Sequence, residues 1–326
     1  MLRKLRGYTT PNGAMLQGLA EELLSRQELK ALFGQVQLIF TSPPFPLHRK
    51  KKYGNEQGEA YVRWLAAFAP LFRKLLKPKG SLVVEIGNAW EPGRPVMSTL
   101  PTLALLRLLE EGKFELCEQF ISYNNARLPG PAQWVNVERI RVKDSFTHVW
   151  WMSPSERPAA DNTRVLVDYS AAMLKLLKTK KYDAGLRPSG HRIGKDSFFR
   201  DNKGAIPGNV IVASNTNSTD AYHRFCRERG LALHPARMPE PVVEFFVKFL
   251  TKPGDLVLDP FAGSNTTGAT AERLGRRWVA FEPTTDYVAG SRGRFDSVSA
   301  VAGEGIRRVV TPQKKRRAQR KKTSAV

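Results

Sequence analysis

Cysteine is nearly absent from this 326-residue chain: Cys117 and Cys226 are the only two, and they stand far apart. That excludes a disulfide-stapled scaffold and a CxxC-type metal site, and it points to a reducing compartment, the cytoplasm. No metal ligand set is expected. Long apolar runs are missing as well, none reaching the ~18–20 residues of a bilayer span. The opening MLRKLRGYTT has charge but no apolar h-region, so neither a secretory signal nor a membrane partner is expected. Acid is scarce beside base. Thirty Asp and Glu face fifty-two Lys and Arg, for a net charge of +22 and a pI near 10.2. Such an excess attracts polyanions by counterion release, and nucleic acid is the commonest of these, the alternative being a generally basic, highly soluble protein. Aromatics make up 10% of the chain, enough with the aliphatics for an ordinary core.

Residues 36–41, VQLIFT, read as a short buried strand that must stop at Ser42-Pro43-Pro44, because two prolines cannot continue a central strand. Residues 59–77 carry Tyr61, Trp64, Leu65, Phe68, Leu71, Phe72 and Leu75 at helical spacing, with Pro78 and Gly80 as the expected stop. Further strands are predicted over 81–86, 114–122, 147–152, 256–259 and 278–282, and helices over 100–109, 241–250 and 266–274. Their alternation predicts an α/β fold with a doubly wound, mostly parallel sheet.

From 153 to 207 the pattern weakens into a basic, Gly- and Pro-rich stretch dotted with Tyr, Phe and His. It reads as a target-recognition region set into the sheet, with a long solvated loop as the competing reading. Its candidate DNA contacts are Arg187, His191, Arg192 and Lys195. The expected organisation is therefore a catalytic half over 1–152, the recognition region over 153–207, a second half over 208–305 and a basic tail over 306–326. The stretch 306–326 has nine Lys or Arg and no acid, the composition of a flexible arm.

Residues 256–268, LVLDPFAGSNTTG, run from an apolar strand through Asp259, Pro260 and Phe261 into a small-residue turn and a helix. Such a turn cradles a ligand at the carboxyl edge of a sheet. Gly263 admits close backbone approach, and Ser264, Asn265, Thr266 and Thr267 open a helix whose dipole favours an anion. No Walker lysine follows, so a lone carboxylate such as that of a methionine moiety suits the turn better than phosphates. Glu282 ends the next strand, WVAFE, where a carboxylate is placed for both hydroxyls of a ribose.

Thr41-Ser42-Pro43-Pro44-Phe45 ends its own strand. The prolines remove two backbone donors and leave carbonyls free to accept. An exocyclic amine on a base is a donor and a poor nucleophile. Acceptors such as the Ser42 hydroxyl and a prolyl carbonyl aim its lone pair, after which attack on a sulfonium methyl needs mainly positioning and electrostatic help. Phe45 offers a face for a base turned out of its duplex. Glu85, at the end of SLVVE, is placed to orient Ser42 or the amine, or is an ordinary surface carboxylate. No cysteine lies in a comparable turn, which argues against carbon-5 chemistry. His48, Arg49, Lys50, Lys51 and Lys52 follow directly and read as phosphate contacts or as a solvated loop. His148 belongs to a packed strand.

Taken together, TSPPFPLHRKKKYGN (41–55), WVNVERIRVKDSFTHVWWMS (134–153), SNTNS (214–218), HPARMPEPVVEFF (234–246), LVLDPFAGSNTTGATAE (256–272) and FEP (281–283) resemble the amino-methyltransferase family of DNA modification enzymes. The order, with the catalytic motif first and the cofactor motif last, resembles its beta-ordered N4-cytosine branch. The resemblance implies a Rossmann-like methyltransferase sheet of circularly shifted element order and S-adenosyl-L-methionine as cofactor. It implies double-stranded DNA as partner and methylation at N4 of cytosine. Ser42 to Phe45 match the family's catalytic tetrapeptide, Asp259 to Thr267 its cofactor loop and Glu282 its ribose-binding acid. His234 and Arg237 match the segment that closes over the cofactor. Serine before the two prolines is typical of the N4 branch. Phe45 stands where many relatives carry Tyr or Trp, and Asn265 where others carry Gly. Adenine-N6 methylation and a non-catalytic DNA-binding protein of the same fold remain open as alternatives, as do a cognate restriction endonuclease and a homodimer.

Overall fold

The computed structural model describes residues 5–45, 56–214, 219–296, 298–300 and 309. The chain opens with a hairpin, β1 (Gly7–Thr9) and β2 (Gly13–Gln17), that the strand pattern did not predict. Its turn runs Thr10-Pro11-Asn12-Gly13, with proline second and glycine fourth, positions those residues favour in a β-turn. Gly13 is required there: a Cβ would fall 2.0 Å from the Trp278 ring. Helix α1 (Ala20–Leu24) and a 3-10 turn lead into β3 (Val36–Thr41), buried at every residue, as a strand covered on both faces must be.

The predicted 59–77 helix is two helices, α2 (Gly58–Ala66) and α3 (Ala69–Leu75). Pro70 lacks the N–H that a continuous helix needs, so the chain stops and restarts there with Pro70 in the first turn. Nor do Pro78 and Gly80 terminate a helix. They sit inside β4 (Leu76–Gly87), where the register with β3 jumps from Leu76 to Ser81 and lets Lys77 to Gly80 bulge out. Helix α4 (Leu100–Gly112), β5 (Glu115–Tyr123) and β6 (Phe146–Ser153) follow close to expectation. His148 lies half-buried on β6, its Nε2 3.0 Å from Asn88 Oδ1.

The insertion holds more order than its composition suggested: α5 (Ala171–Thr179), capped by Ser170 and without a buried residue, then a hairpin of β7 (Gly185–Leu186) and β8 (Arg192–Ile193). The chain rejoins the sheet at β9 (Val210–Val212). Helices α6 (Ala221–Glu228) and α7 (Glu240–Leu250) precede β10 (Leu256–Asp259), α8 (Thr266–Arg273), β11 (Arg277–Glu282), α9 (Thr285–Ser291) and β12 (Ser299–Ala300).

Among the described residues the main sheet has ten strands ordered β12-β1-β2-β11-β10-β3-β4-β6-β5-β9, of which β1 and β6 run against the rest. Strands from both halves of the sequence therefore interleave in one sheet. From β10 the chain winds through α8 to β11 on one side, while β3 and β4 extend the sheet on the other. The seam between β10 and β3 is the topological switch point, where an open α/β sheet forms its crevice. No described helix is long and apolar enough to cross a membrane.

Candidate active site

Two loops leave the carboxyl ends of neighbouring parallel strands at that switch point. The turn after β3 brings Ser42, Pro43, Pro44 and Phe45. The turn after β10 brings Asp259 to Ser264, Thr266 and Thr267, and the next strand adds Glu282. All of these line one cavity of about 520 Å3.

The cofactor-side turn is tied by its own side chains. Asp259 is buried and accepts three hydrogen bonds: from the Thr41 hydroxyl at 2.7 Å, the Thr267 hydroxyl at 2.7 Å and the Phe261 N–H at 3.1 Å. Burial pushes its carboxyl up to about 6, against the pull of those donors. Glu282 accepts from the Gly263 N–H at 3.0 Å and the Thr284 N–H at 2.9 Å, and burial raises its proton affinity too. The Thr284 hydroxyl is a third donor to Glu282, and a carboxylate's roughly four lone-pair sites still leave room for a ligand hydroxyl. Gly263 is left-handed at φ +50, and a Cβ there would come 2.8 Å from His234 Nε2. The cradle would close with any side chain at 263. His234 itself lines the cavity and packs edge-on against Tyr287, ring centroids 4.7 Å apart.

Two expected cofactor residues lie elsewhere. Asn265 is wholly buried behind the turn, left-handed at φ +57, capping α8 through Gly268 N–H and donating to the Tyr8 hydroxyl at 3.1 Å. It holds the cradle without lining it. Arg237 pairs with Asp220 at 3.0 Å and borders a second cavity of about 750 Å3, which meets the first at Met238 and Thr266. Ser214 lines that second cavity, whereas 215–218 fall outside the described residues.

On the catalytic side, Ser42 is hydrogen-bonded to Glu85, which also accepts from the Thr147 hydroxyl at 2.9 Å. Glu85 is thus buried and partnered, not a surface carboxylate. Burial raises its proton affinity, and the two hydroxyl donors oppose that. The Phe45 ring lies over Gly87, the last residue of β4, where a Cβ would fall 2.6 Å from the ring carbons. His48, Arg49, Lys50, Lys51 and Lys52 lie outside the described residues, as does the basic tail apart from Val309. Arg187, His191, Arg192 and Lys195 sit on or beside the β7–β8 hairpin with at least part of their surface in solvent, Arg187 salt-bridged to Asp183 at 3.4 Å. Among the described residues no cluster of His, Cys, Asp and Glu is placed to hold a metal.

Sequence reasoning missed three contributors. Tyr287 and Trp64 line the cavity from helices α9 and α2, and Tyr8 braces Asn265 from the N-terminal hairpin. Only the Thr10-Pro11-Asn12-Gly13 turn gave a local signal that could have placed Tyr8 in the sheet.

Residues 36–292 match the DNA methylase family model that covers N6- and N4-acting enzymes. The chain is 46% identical over 294 residues to the type II methyltransferase M.PvuII of Proteus hauseri, covering 90% of this chain and 86% of that protein. It is 27% identical over 260 residues to the type II methyltransferase M.BglII of Bacillus subtilis, covering 78% of this chain and 61% of that longer protein. Among solved structures, the cytosine-N4-specific PvuII DNA methyltransferase superposes with a TM-score of 0.72 at 38% identity over 94% of each chain. A Thermus thermophilus DNA modification methylase complexed with S-adenosylmethionine shares the fold at TM-score 0.50 and 21% identity, over 85% of this chain and 92% of that one. The chain belongs to the DNA methylase family and is a DNA methyltransferase.

Proposed function

We propose that the chain methylates N4 of cytosine at a specific site in double-stranded DNA, on a nucleotide turned out of the duplex. The observation that carries this is the shared cavity: Ser42, backed by buried Glu85, faces the same space as Gly263 and Glu282. Cytosine is favoured over adenine by the serine before the two prolines and by the likeness to a cytosine-N4-specific enzyme.

When bound, S-adenosylmethionine supplies an electrophilic methyl group. Glu282 accepts from the ribose hydroxyls, and the backbone at Gly263 admits the donor closely. Ser42 donates its proton toward Glu85, which turns Oγ lone pairs to the target amine; the prolyl carbonyls supply further acceptors. Accepting from the amine localises its lone pair for attack, an effect of positioning and electrostatics. The proton that the amine sheds meets Ser42 Oγ first and, one hydrogen bond further, the Glu85 carboxylate, whose burial raises its proton affinity. Pairing with a restriction endonuclease and a cytoplasmic location fit the type II methyltransferases it resembles.

The test is methyl transfer from labelled S-adenosylmethionine to duplex DNA, followed by nucleoside analysis. The expected product is 4-methylcytosine. Label in 6-methyladenine would overturn the base assignment, and no incorporation into any DNA would overturn the enzymatic reading.

A further inference from the structure

The segment joining β5 to β6, residues 124–145, leaves and re-enters the sheet at its carboxyl edge. Tyr123 pairs with Phe146, and Thr147 pairs with Gly87, the residue beneath the Phe45 ring. This loop therefore stands on the same edge as the Ser42 turn. The insertion departs from the opposite edge: Ser153 donates to the Gly80 carbonyl at 2.8 Å, and the Ala159 N–H to Lys79 at 3.0 Å.

The loop is clamped to the body. Asn88 Nδ2 donates to Asp144 Oδ1 at 2.8 Å, and Arg127 pairs with the other Asp144 oxygen at 3.3 Å. Arg141 Nε donates to the Pro95 carbonyl at 2.9 Å, and the Trp134 ring lies 5.7 Å from Trp90. What the clamps hold out is apolar and cationic. Leu128 is 83% exposed and Val142 87%, with Val137 and Ile140 exposed between them in sequence. Large apolar side chains concentrated in one exposed loop mark an interaction site. Arg139 is exposed, held at φ +57, and makes no hydrogen bond or ion pair to any described residue. Arg127, Arg139, Arg141 and Lys143 outnumber Glu138 and Asp144, and Asp144 is consumed by its internal partners.

We propose that this loop is a DNA-contacting element distinct from the basic insertion, with Arg139 on a backbone phosphate and Leu128 and Val142 against the duplex beside the target nucleotide. The occupant is duplex DNA because the loop's free charge is cationic, the whole chain carries +22, and the loop shares its edge with the catalytic turn. The proposal rests on the methyltransferase reading. It assigns the loop a share of substrate binding that neither the HRKKK run nor the insertion holds.

The test is fluorescence anisotropy of the full chain on a labelled duplex that the wild type methylates, across a salt series. Arg139→Ala is expected to weaken binding several-fold and to make the log–log salt slope shallower by about 0.9, one phosphate contact. Arg139→Lys should restore the slope. Val142→Ser should weaken binding without changing the slope. Thermal midpoint and S-adenosylmethionine affinity should match wild type in all three. Wild-type affinity and slope in Arg139→Ala, on DNA that wild type still methylates, would place the loop off the duplex and leave the methyltransferase reading standing. A wild type that neither binds nor methylates DNA would remove that reading, and this inference with it.

Discussion

The two strand tips at the switch point are built on opposite plans. After β10 nearly every polar group is engaged within the protein: Asp259 with three donors, Glu282 with Gly263 and with the N–H and hydroxyl of Thr284, Asn265 with Gly268 and Tyr8. After β3 the chain presents two prolines and a serine whose described side-chain bond runs to Glu85. The difference follows from what each tip must do. A cradle for a bound cofactor gains from being rigid before the ligand arrives. A site that aims the lone pair of an amine must keep acceptors unspent, and proline supplies carbonyls without competing N–H donors.

The comparison breaks most visibly at Ser42. Ser42→Ala removes an acceptor that matters chiefly in the transition state, so turnover should fall by roughly 10²–10³. S-adenosylmethionine affinity should hold, because Ser42 bonds to Glu85 and not to the Glu282 side of the cavity, while stability should fall by about 1 kcal/mol as buried Glu85 loses one hydroxyl donor. Single-turnover kinetics with calorimetry checks both halves. A mutant with near-normal turnover would remove Ser42 from catalysis, and one with lost cofactor affinity would show that the two tips are a single unit.

That Thr41 ties the two tips together through Asp259 was not legible in the sequence. VQLIFT was readable as a strand because β-branched and aromatic residues met a double proline, and LVLD because an apolar run met an acid and a glycine turn. Asp259 and Glu282 are both acids at strand tips, and local pattern treats them alike. Their roles separate only through neighbours distant in sequence: Thr41 reaches Asp259 because β3 pairs beside β10, and so spends that carboxylate on the framework. Asn265 fails for the same reason, since its burial depends on Tyr8 in a strand far away in the chain. The 59–77 helix misled through an unbroken apolar stripe that outweighed Pro70. Helix α5 lay hidden in the insertion because its surroundings are basic and Gly-rich, although Ser170 and the run AAMLKLLKT carry a cap and a helical period.

Asp259 is where the shared link can be measured. Its folded-state carboxyl sits near 6, above the ordinary 3.8, so between those values the native state holds the proton more tightly than the unfolded chain. The contribution of this group to stability is therefore greatest below about pH 4 and is lost as pH rises through 6. Asp259→Asn lacks that titration. The stability of wild type minus that of Asp259→Asn should accordingly drop between pH 4 and pH 7, by the order of 2–3 kcal/mol for a shift of this size. Urea titrations of both proteins at four pH values would give the curve. A difference independent of pH would mean that Asp259 is ionised throughout and that the two threonines outweigh its burial.

The smallest effect belongs to Asn265, and it sharpens the distinction between holding the cradle and touching the ligand. Asn265→Gly keeps a residue at ease with φ +57 while deleting the α8 cap and the bond to Tyr8. Replacing a capping side chain by glycine costs only a few tenths of a kcal/mol, and losing the bond to the buried Tyr8 hydroxyl adds about 1 kcal/mol or less. Tyr8 still donates to Ser291 at 2.7 Å, which limits that loss. The melting temperature should fall by about 1–3 °C. Cofactor affinity should stay within about twofold of wild type, because the asparagine stands behind the cavity wall. A tenfold loss of affinity in calorimetry, with the melting point unchanged, would put this side chain in the ligand's path and erase the line between framework and contact that the cofactor tip displays.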